Sequence, residues 1–276
     1  MFELPEVTVL ARQLNSQVVG RTVTRLVRGN SPHKFVFHNL PAPEYEALAA
    51  GKVIGPVTAR AKWLFIPLEP GLVQLCGEFG GRLLLHPEAG PRPERHHLLL
   101  ELDDGRAISA VTQMWGMFAL MRPAEIASHK YAGNIGVTPV DEAFTWDYFE
   151  RLVMELPDAT KRSVKGLLTQ EGIIPGIGNS YCQDILFRAG IHPRRPVATL
   201  SLSEARALFD SVVGVVTEAI AAGGRNDEYD LYGNRGGYVR RMSSATAGQP
   251  CQVCGTPILK MQYLGGACYV CPSCQR

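Results

Sequence analysis

Four cysteines near the end of the chain, Cys251-x-x-Cys254 and Cys271-x-x-Cys274, constrain its folding more than any other feature. Two pairs at this spacing present four thiolates able to close a tetrahedron around Zn²⁺. Thr256-Pro257-Ile258 leads into an apolar-polar strand pattern at Ile258, Met261 and Tyr263. Gly265-Gly266 reads as a turn and residues 267–270 as the returning strand, so a β-hairpin clamped at its base by metal is expected. Two disulfides, or four unrelated thiols, are the alternative. The rest of the chain shows no sign of secretion, which weighs against disulfides. Four thiolates leave no open position for chemistry, so the reading is one structural zinc per chain. Cys268 is out of step with the pairs and reads as packing.

The 276 residues give room for two domains with separate cores. The opening Met1-Phe2-Glu3-Leu4-Pro5-Glu6 has neither the basic start nor the apolar run of a signal peptide. Residues 212–222 are apolar but interrupted by Gly214, Thr217 and Glu218, which excludes a bilayer span. Seven cysteines, four of them assigned to zinc, fit a reducing cytoplasm. A net charge of +2 is a weak argument for nucleic acid. Lys161, Arg162, Lys165, Arg188, Arg194 and Arg195 nevertheless cluster in sequence. That cluster suits a phosphate-facing surface or a solvated one, and composition leaves both open.

Along the chain the pattern is α+β. A leading helix is expected from Pro5, with Val7, Leu10, Ala11, Leu14 and Val18 as its apolar stripe and Gly20 ending it. Strand patterns follow at 23–28, 53–68, 72–85 and 97–102, and Asp104-Gly105 predicts a hairpin. Residues 1–125 therefore read as a β-sandwich or barrel fronted by one helix. Helical periodicity then takes over, with helices expected at 146–156, 159–169 and 204–222, the last opened by the capping box Ser201-x-x-Glu204. The predicted organisation is a β-rich domain (1–125), a helical domain (140–245) and a zinc hairpin (246–276). Residues 223–237 are glycine-rich and polar, and read as a long mobile loop.

Between two helices lies Glu171-Gly172-Ile173-Ile174-Pro175-Gly176-Ile177-Gly178-Asn179. Gly176 and Gly178 permit special turn conformations, and Asn179 is a good N-cap for a helix running to Arg188. Turn amides and a helix N-terminus then point one way, which suits a DNA phosphate. By itself Gly-x-Gly-Asn is equally an ordinary helix–helix turn; Leu186-Phe187-Arg188-Ala189-Gly190-Ile191-His192-Pro193 downstream makes the segment more specific.

At this point the chain resembles the formamidopyrimidine-DNA glycosylase / endonuclease VIII family over essentially its whole length. The resemblance rests on Glu3-Leu4-Pro5-Glu6, on the middle segment from Leu167-Leu168 to Pro193, and on the finger from Cys251 to Gln275. It implies a helix-two-turn-helix in the middle, a zinc finger at the end, and a loop over the lesion at 223–240. It also implies a monomeric, cytoplasmic, nucleoid-associated enzyme that flips a damaged base from DNA and excises it. In the family the N-terminal amine forms a Schiff base with the sugar and then cleaves the strand.

Several positions depart from the family pattern. Members usually begin Met-Pro-Glu and expose a proline amine, whereas position 2 here is Phe. Removal of Met before a bulky residue is disfavoured, so the expected amine is that of Met1, displaced by up to about 3.5 Å. Misplacement on that scale removes much of a catalytic advantage, so Phe2 argues against the lyase step. Glu3 matches the catalytic carboxylate, although a helix-capping acid would look the same. Glu6 also matches, with a structural role, and Lys62 aligns with the hairpin lysine that holds phosphate and sugar. Phe79, Gln113 and Trp115 align with the residues that fill the gap left by the extruded base, Phe79 reading as an exposed wedge. Lys165 and Asn179 align with phosphate contacts, Asp184 with an acidic residue, and Gly266 with the finger's arginine. The preferred function is a damaged-base N-glycosylase without strand cleavage; the alternative is a noncatalytic binder of damaged or branched DNA.

Overall fold

The computed structural model describes residues 1–29, 34–170 and 172–276. They divide into two compact units, Met1–Ile135 with Ile220–Tyr238, and Gly136–Ala219 with Val239–Arg276. Among the described residues no helix is long and apolar enough to cross a membrane.

The first unit opens with helix α1 (Leu4–Gln17). Pro5 occupies its first turn, where a missing N–H costs nothing, and Glu3 and Glu6 close a reciprocal capping box. Val7, Leu10 and Leu14 form the buried stripe, and Gly20 takes φ +83° just beyond the helix end. The strands are β1 (Val23–Arg28), β2 (Val36–His38), β3 (Val53–Ile54), β4 (Thr58–Arg60), β5 (Trp63–Glu69), β6 (Leu72–Gly77), β7 (Gly81–His86), β8 (Leu98–Leu102), β9 (Ala107–Thr112) and β10 (Gly116–Met121). One antiparallel sheet runs β1-β8-β9-β7; the other runs β2-β10-β6-β5-β3, with β4 on β5 and β2 parallel to β10. Alternation divides β5 between two faces. Leu64, Ile66 and Leu68 enter the main core with Leu26, Leu83 and Leu100 of the first sheet, whereas Trp63 and Phe65 turn to a second cluster with Val73 and Leu75.

Helix α2 (Ala42–Ala49), absent from the sequence reading, presents Tyr45 and Ala49 to the core. Each long predicted strand is broken. Ala61 (φ +52°) turns β4 into β5, and Glu78 (φ +49°) ends β6. A short helix α3 (Pro123–Ile126) follows β10.

The second unit contains α4 (Trp146–Met154), α5 (Val164–Thr169), α6 (Asn179–Arg188) and most of α7 (Leu202–Ala221). Ser163 caps α5 by accepting the Gly166 N–H at 3.1 Å. Phe144, Trp146, Phe149 and Phe209 form an aromatic cluster. The predicted hairpin is present as β11 (Leu259–Tyr263) and β12 (Gly266–Val270). Its turn is Leu264-Gly265, one residue earlier than expected, with positive φ at both positions, the geometry whose twist matches the strands. Residues 246–276 pack against the helices: Phe187, Met242, Ile258 and Cys271 share one apolar cluster.

Residues 223–237, expected as a mobile loop, are pinned to the first unit. Leu231 is buried in the main core, its N–H donates to Gln13 Oε1 at 2.9 Å, and its carbonyl accepts from Leu85 N.

Candidate active site and nucleic-acid interface

The head of α1 and the 223–237 loop build one charged network in the first unit. Arg225, only 2% exposed, is its centre. Its guanidinium donates to Glu6 Oε2 at 3.1 Å, to the Met1 carbonyl at 2.9 Å, to Glu228 Oε1 at 2.9 Å and to Asp227 Oδ1 at 3.2 Å. Glu3 Oε1 lies 3.7 Å from the same group. The Arg225 backbone N–H also donates to Glu6 Oε1 at 3.0 Å. Glu6 in turn accepts the Glu3 N–H at 2.9 Å, so one carboxylate caps the helix and anchors the loop. A buried arginine of this kind needs both charge and a full set of acceptors, and its planar fork meets several at once.

The terminal ammonium of Met1 donates to Glu228 Oε1 at 2.9 Å, so Glu228 serves the amine and Arg225 together. Phe2 holds this end in place. Its ring is wholly buried edge-to-face on Phe79 at 4.9 Å, and its N–H donates to the Phe79 carbonyl at 2.9 Å. Gly80 is required by contact, because a Cβ there would lie 2.5 Å from both Met1 N and Met1 Cα.

A cavity of about 250 Å³ opens on this network, lined by Met1, Gly80, Gln113, Trp115, Asp227 and Glu228 among others. The structure thus brings Met1, Gln113 and Trp115 together. Glu3 and Glu6 are buried behind the cavity, and Asp227 and Glu228 are the carboxylates on its wall. Lys62 sits half-buried in the two-residue turn between β4 and β5. Phe79 is not an exposed wedge: it is 1% exposed and packs between Phe2 and Phe118, and of the adjacent glycines Gly80 serves Met1's approach while Gly81 lies against Val111 and Thr112.

In the second unit Asn179 is the first residue of α6, with Gly178 as the N-cap, one position earlier than expected. Gly176 takes φ +94°, as a tight turn requires, while Gly178 is extended. Glu171 of the predicted segment lies outside the described residues. Asn179 is exposed, donates to the Ala267 carbonyl at 3.2 Å and accepts from Gln183 at 3.1 Å. The turn after α5 therefore meets the finger beside Gly266, whose Cβ would sit 3.3 Å from the Asn179 side chain. Lys165, expected on a phosphate, is instead buried; its ammonium donates to the Tyr263 carbonyl at 2.7 Å and reaches Cys268 Sγ at 3.3 Å. Asp184 accepts the N–H groups of Arg241 and Met242, fixing the segment that leads into the finger.

The sulfurs of Cys251, Cys254, Cys271 and Cys274 all lie within 4.8 Å of one another, with Cys251–Cys274 at 3.9 Å and Cys254–Cys271 at 3.4 Å. A tetrahedral site with metal–sulfur bonds of about 2.3 Å has edges of about 3.8 Å, so four thiolates here could hold a metal ion.

Residues 1–114 match the formamidopyrimidine-DNA glycosylase N-terminal domain, and residues 135–229 match the H2TH domain of the same family. The formamidopyrimidine-DNA glycosylase of Roseiflexus sp. (strain RS-1) is 35% identical over 286 residues, with all of both chains covered. The chain belongs to the formamidopyrimidine-DNA glycosylase family. The Escherichia coli O6:K15:H31 (strain 536 / UPEC) member is 29% identical with both chains fully covered. The Lactococcus lactis Fpg, solved in complex with DNA containing an abasic site, superposes with a TM-score of 0.85 at 25% identity over 99% of each chain. MutM in complex with DNA containing carbocyclic 8-oxo-G gives 0.83 at the same identity and coverage.

The sequence reading singled out Met1, Phe2, Glu3 and Glu6, which lie in or beside this charged network, but not its other members Arg225, Asp227 and Glu228. Its available signal was a lone arginine directly after Gly223-Gly224, followed by two acids.

Proposed function

We propose that this protein is a base-excision DNA N-glycosylase that hydrolyses the bond to a damaged, flipped-out base. The observation that carries the reading is the charge balance of the α1–loop network, in which two cations, Met1 and Arg225, face four carboxylates. Cleavage of a glycosidic bond passes through an oxocarbenium-like state, and fixed surplus negative charge stabilises positive charge developing on the sugar. The C1′–N bond breaks with its electron pair leaving on the base. Water adds to C1′ and gives its proton to the carboxylate network, with Glu3 the acceptor by its family match once substrate binding opens the cavity wall to it. Gln113 and Trp115 fill the space vacated in the duplex, and the extruded base enters a fitted cavity. Lys62 and Asn179 hold backbone phosphates. With DNA as substrate, the enzyme acts at the nucleoid.

The hydrolytic version is favoured over the lyase because the Met1 amine is committed to Glu228. Schiff-base formation would require this contact to open and the nitrogen to turn to the sugar. We further assign the Cys251, Cys254, Cys271 and Cys274 site to one structural Zn²⁺, which would clamp the base of the β11–β12 hairpin beside Asn179.

Borohydride trapping on abasic-site DNA, with intact-mass analysis and a parallel hot-alkali assay on lesion-containing DNA presented both single-stranded and as duplex, tests this. The expected result is no covalent adduct, with alkali-sensitive sites that disappear in Glu3→Gln. An adduct at Met1 would overturn the hydrolytic version, and silence in both assays across a broad lesion panel would overturn glycosylase activity itself.

A further inference from the structure

A second cavity of about 420 Å³ lies on the other side of Met1 and is lined by Phe37, Trp63, Glu78, Trp115, Met117 and Tyr131. It shares only Met1 and Trp115 with the acidic cavity, and its wall is mostly apolar. Buried Trp63 forms part of this wall, packed with Val73 and Leu75 and with the His129 ring edge-on at 5.4 Å. The rim is aromatic and open: Phe37 is 50%, Trp115 43% and Tyr131 58% exposed. Leaving three large rings in water around one cleft is costly unless something covers them, and such patches mark binding sites.

The arrangement of the rings narrows what that is. The Trp115 ring meets that of Phe35 at a centroid distance of 4.6 Å and 30° tilt, and that of Phe37 at 6.4 Å and 21°. These rings cluster at β2, the residue before it, and the loop entering β10. Two lysines accompany the aromatic residues, Lys34 over Phe35 at 4.7 Å and Lys130 over the rim residue Tyr131 at 5.0 Å. Stacked aromatics flanked by lysines are the chemistry of single-stranded nucleic acid: flat bases lie on the rings while ammonium groups follow the backbone. Few hydrogen-bonding groups line the cleft, so it would take any base rather than read one.

We propose that this aromatic cleft is a stacking platform for unpaired nucleobases next to the lesion, and that the enzyme works on damage in single-stranded DNA. The inference rests on the DNA-glycosylase reading and adds its strand preference. Bases lifted out of pairing beside the acidic cavity are held on Phe37, Trp115 and Tyr131, so no complementary strand is needed to present the damaged one.

The test uses the full chain, a fluorescein-labelled oligothymidylate carrying one tetrahydrofuran abasic analogue, and the same strand annealed to its complement. The wild type is expected to bind the single strand at least as tightly as the duplex. Phe37→Ala and Tyr131→Ala, both at exposed positions and checked by thermal melting, should each weaken single-strand binding about 5- to 150-fold. Duplex affinity should be untouched, and the dependence on salt unchanged, because stacking releases no counterions. A 2-aminopurine beside the analogue should be quenched by the wild type and not by either variant. The proposal fails if both variants bind the single strand like the wild type while the wild type still binds lesion duplex; the glycosylase reading then stands. If the wild type binds neither probe, both fall.

Discussion

Replacing Arg225 with Met keeps most of the side-chain volume and removes the guanidinium that pairs with buried Glu6 and Glu3. Two carboxylates, both less than 5% exposed, then face each other without it. Breaking a buried ion pair from one side costs about 3–5 kcal/mol, far more than loss of an exposed pair. For a unit whose urea m-value is about 3 kcal/mol/M, that lowers the unfolding midpoint by about 1–1.7 M. Urea titration followed by Trp63 and Trp115 fluorescence reads the first unit, and Trp146 reports on the second. The loss should fall on the first unit alone. Adding Glu6→Gln in the Arg225→Met background removes one stranded charge, so the double variant should be less destabilised than the sum of the single changes by about 1–3 kcal/mol. Strict additivity, or a cost for Arg225→Met below about 1 kcal/mol, would refute the view that this arginine organises the acidic site.

Three further outcomes follow from other parts of the molecule. Phe79→Ala should cost about 3–5 kcal/mol of stability by denaturant titration, as a core ring does, whereas a surface wedge would alter DNA binding and leave stability unchanged. Arg195 first, and then the Ser201 backbone and hydroxyl, hold Glu204 down to about 2. Its folded-state value lies below its free value, so its stabilising effect is present above the ordinary glutamate range and is lost as pH falls from about 4.5 towards 2. Glu204→Gln should flatten that acid limb in helix-monitored unfolding; an unchanged limb refutes the assignment. Cys254→Ser, or chelation, should release one zinc per chain by elemental analysis, unfold the hairpin and weaken DNA affinity while the sandwich stays folded. Full affinity in metal-free protein would contradict the structural role.

The sequence made α1, the β-rich first half and the hairpin legible because each has local chemistry. Pro5 and the Val7–Leu10–Leu14 stripe start and orient the helix, Asp104-Gly105 closes β8 on β9, and the cysteine spacing fixes the finger. The strand breaks escaped notice because Ala61 and Glu78 adopt positive φ without being glycine, and no residue type announces that. Helix α2 went unread in the sequence; Pro41 is its N-cap and Pro43 lies in its first turn, positions where proline opens a helix. The burial of Lys165 was unreadable for another reason: its partner carbonyl on Tyr263 is 98 residues away. Arg225 was unreadable because a charged residue in a glycine-rich stretch suggests solvent, and its partners Met1, Glu3 and Glu6 lie at the opposite end of the chain.

Glu228 accepts from both the first residue's ammonium and the loop's arginine, which ties maturation of the polypeptide to the geometry of its chemistry. A retained formyl group, a purification tag or any N-terminal extension converts that ammonium into a neutral amide. Glu228 then belongs to Arg225 alone, and the wall of the acidic cavity loses the cation that Met1 supplies. Preparations that differ only ahead of Phe2 therefore differ in the charge of the acidic cavity, and the state of the N-terminus should be fixed by mass before any activity, or lack of it, is credited to the fold.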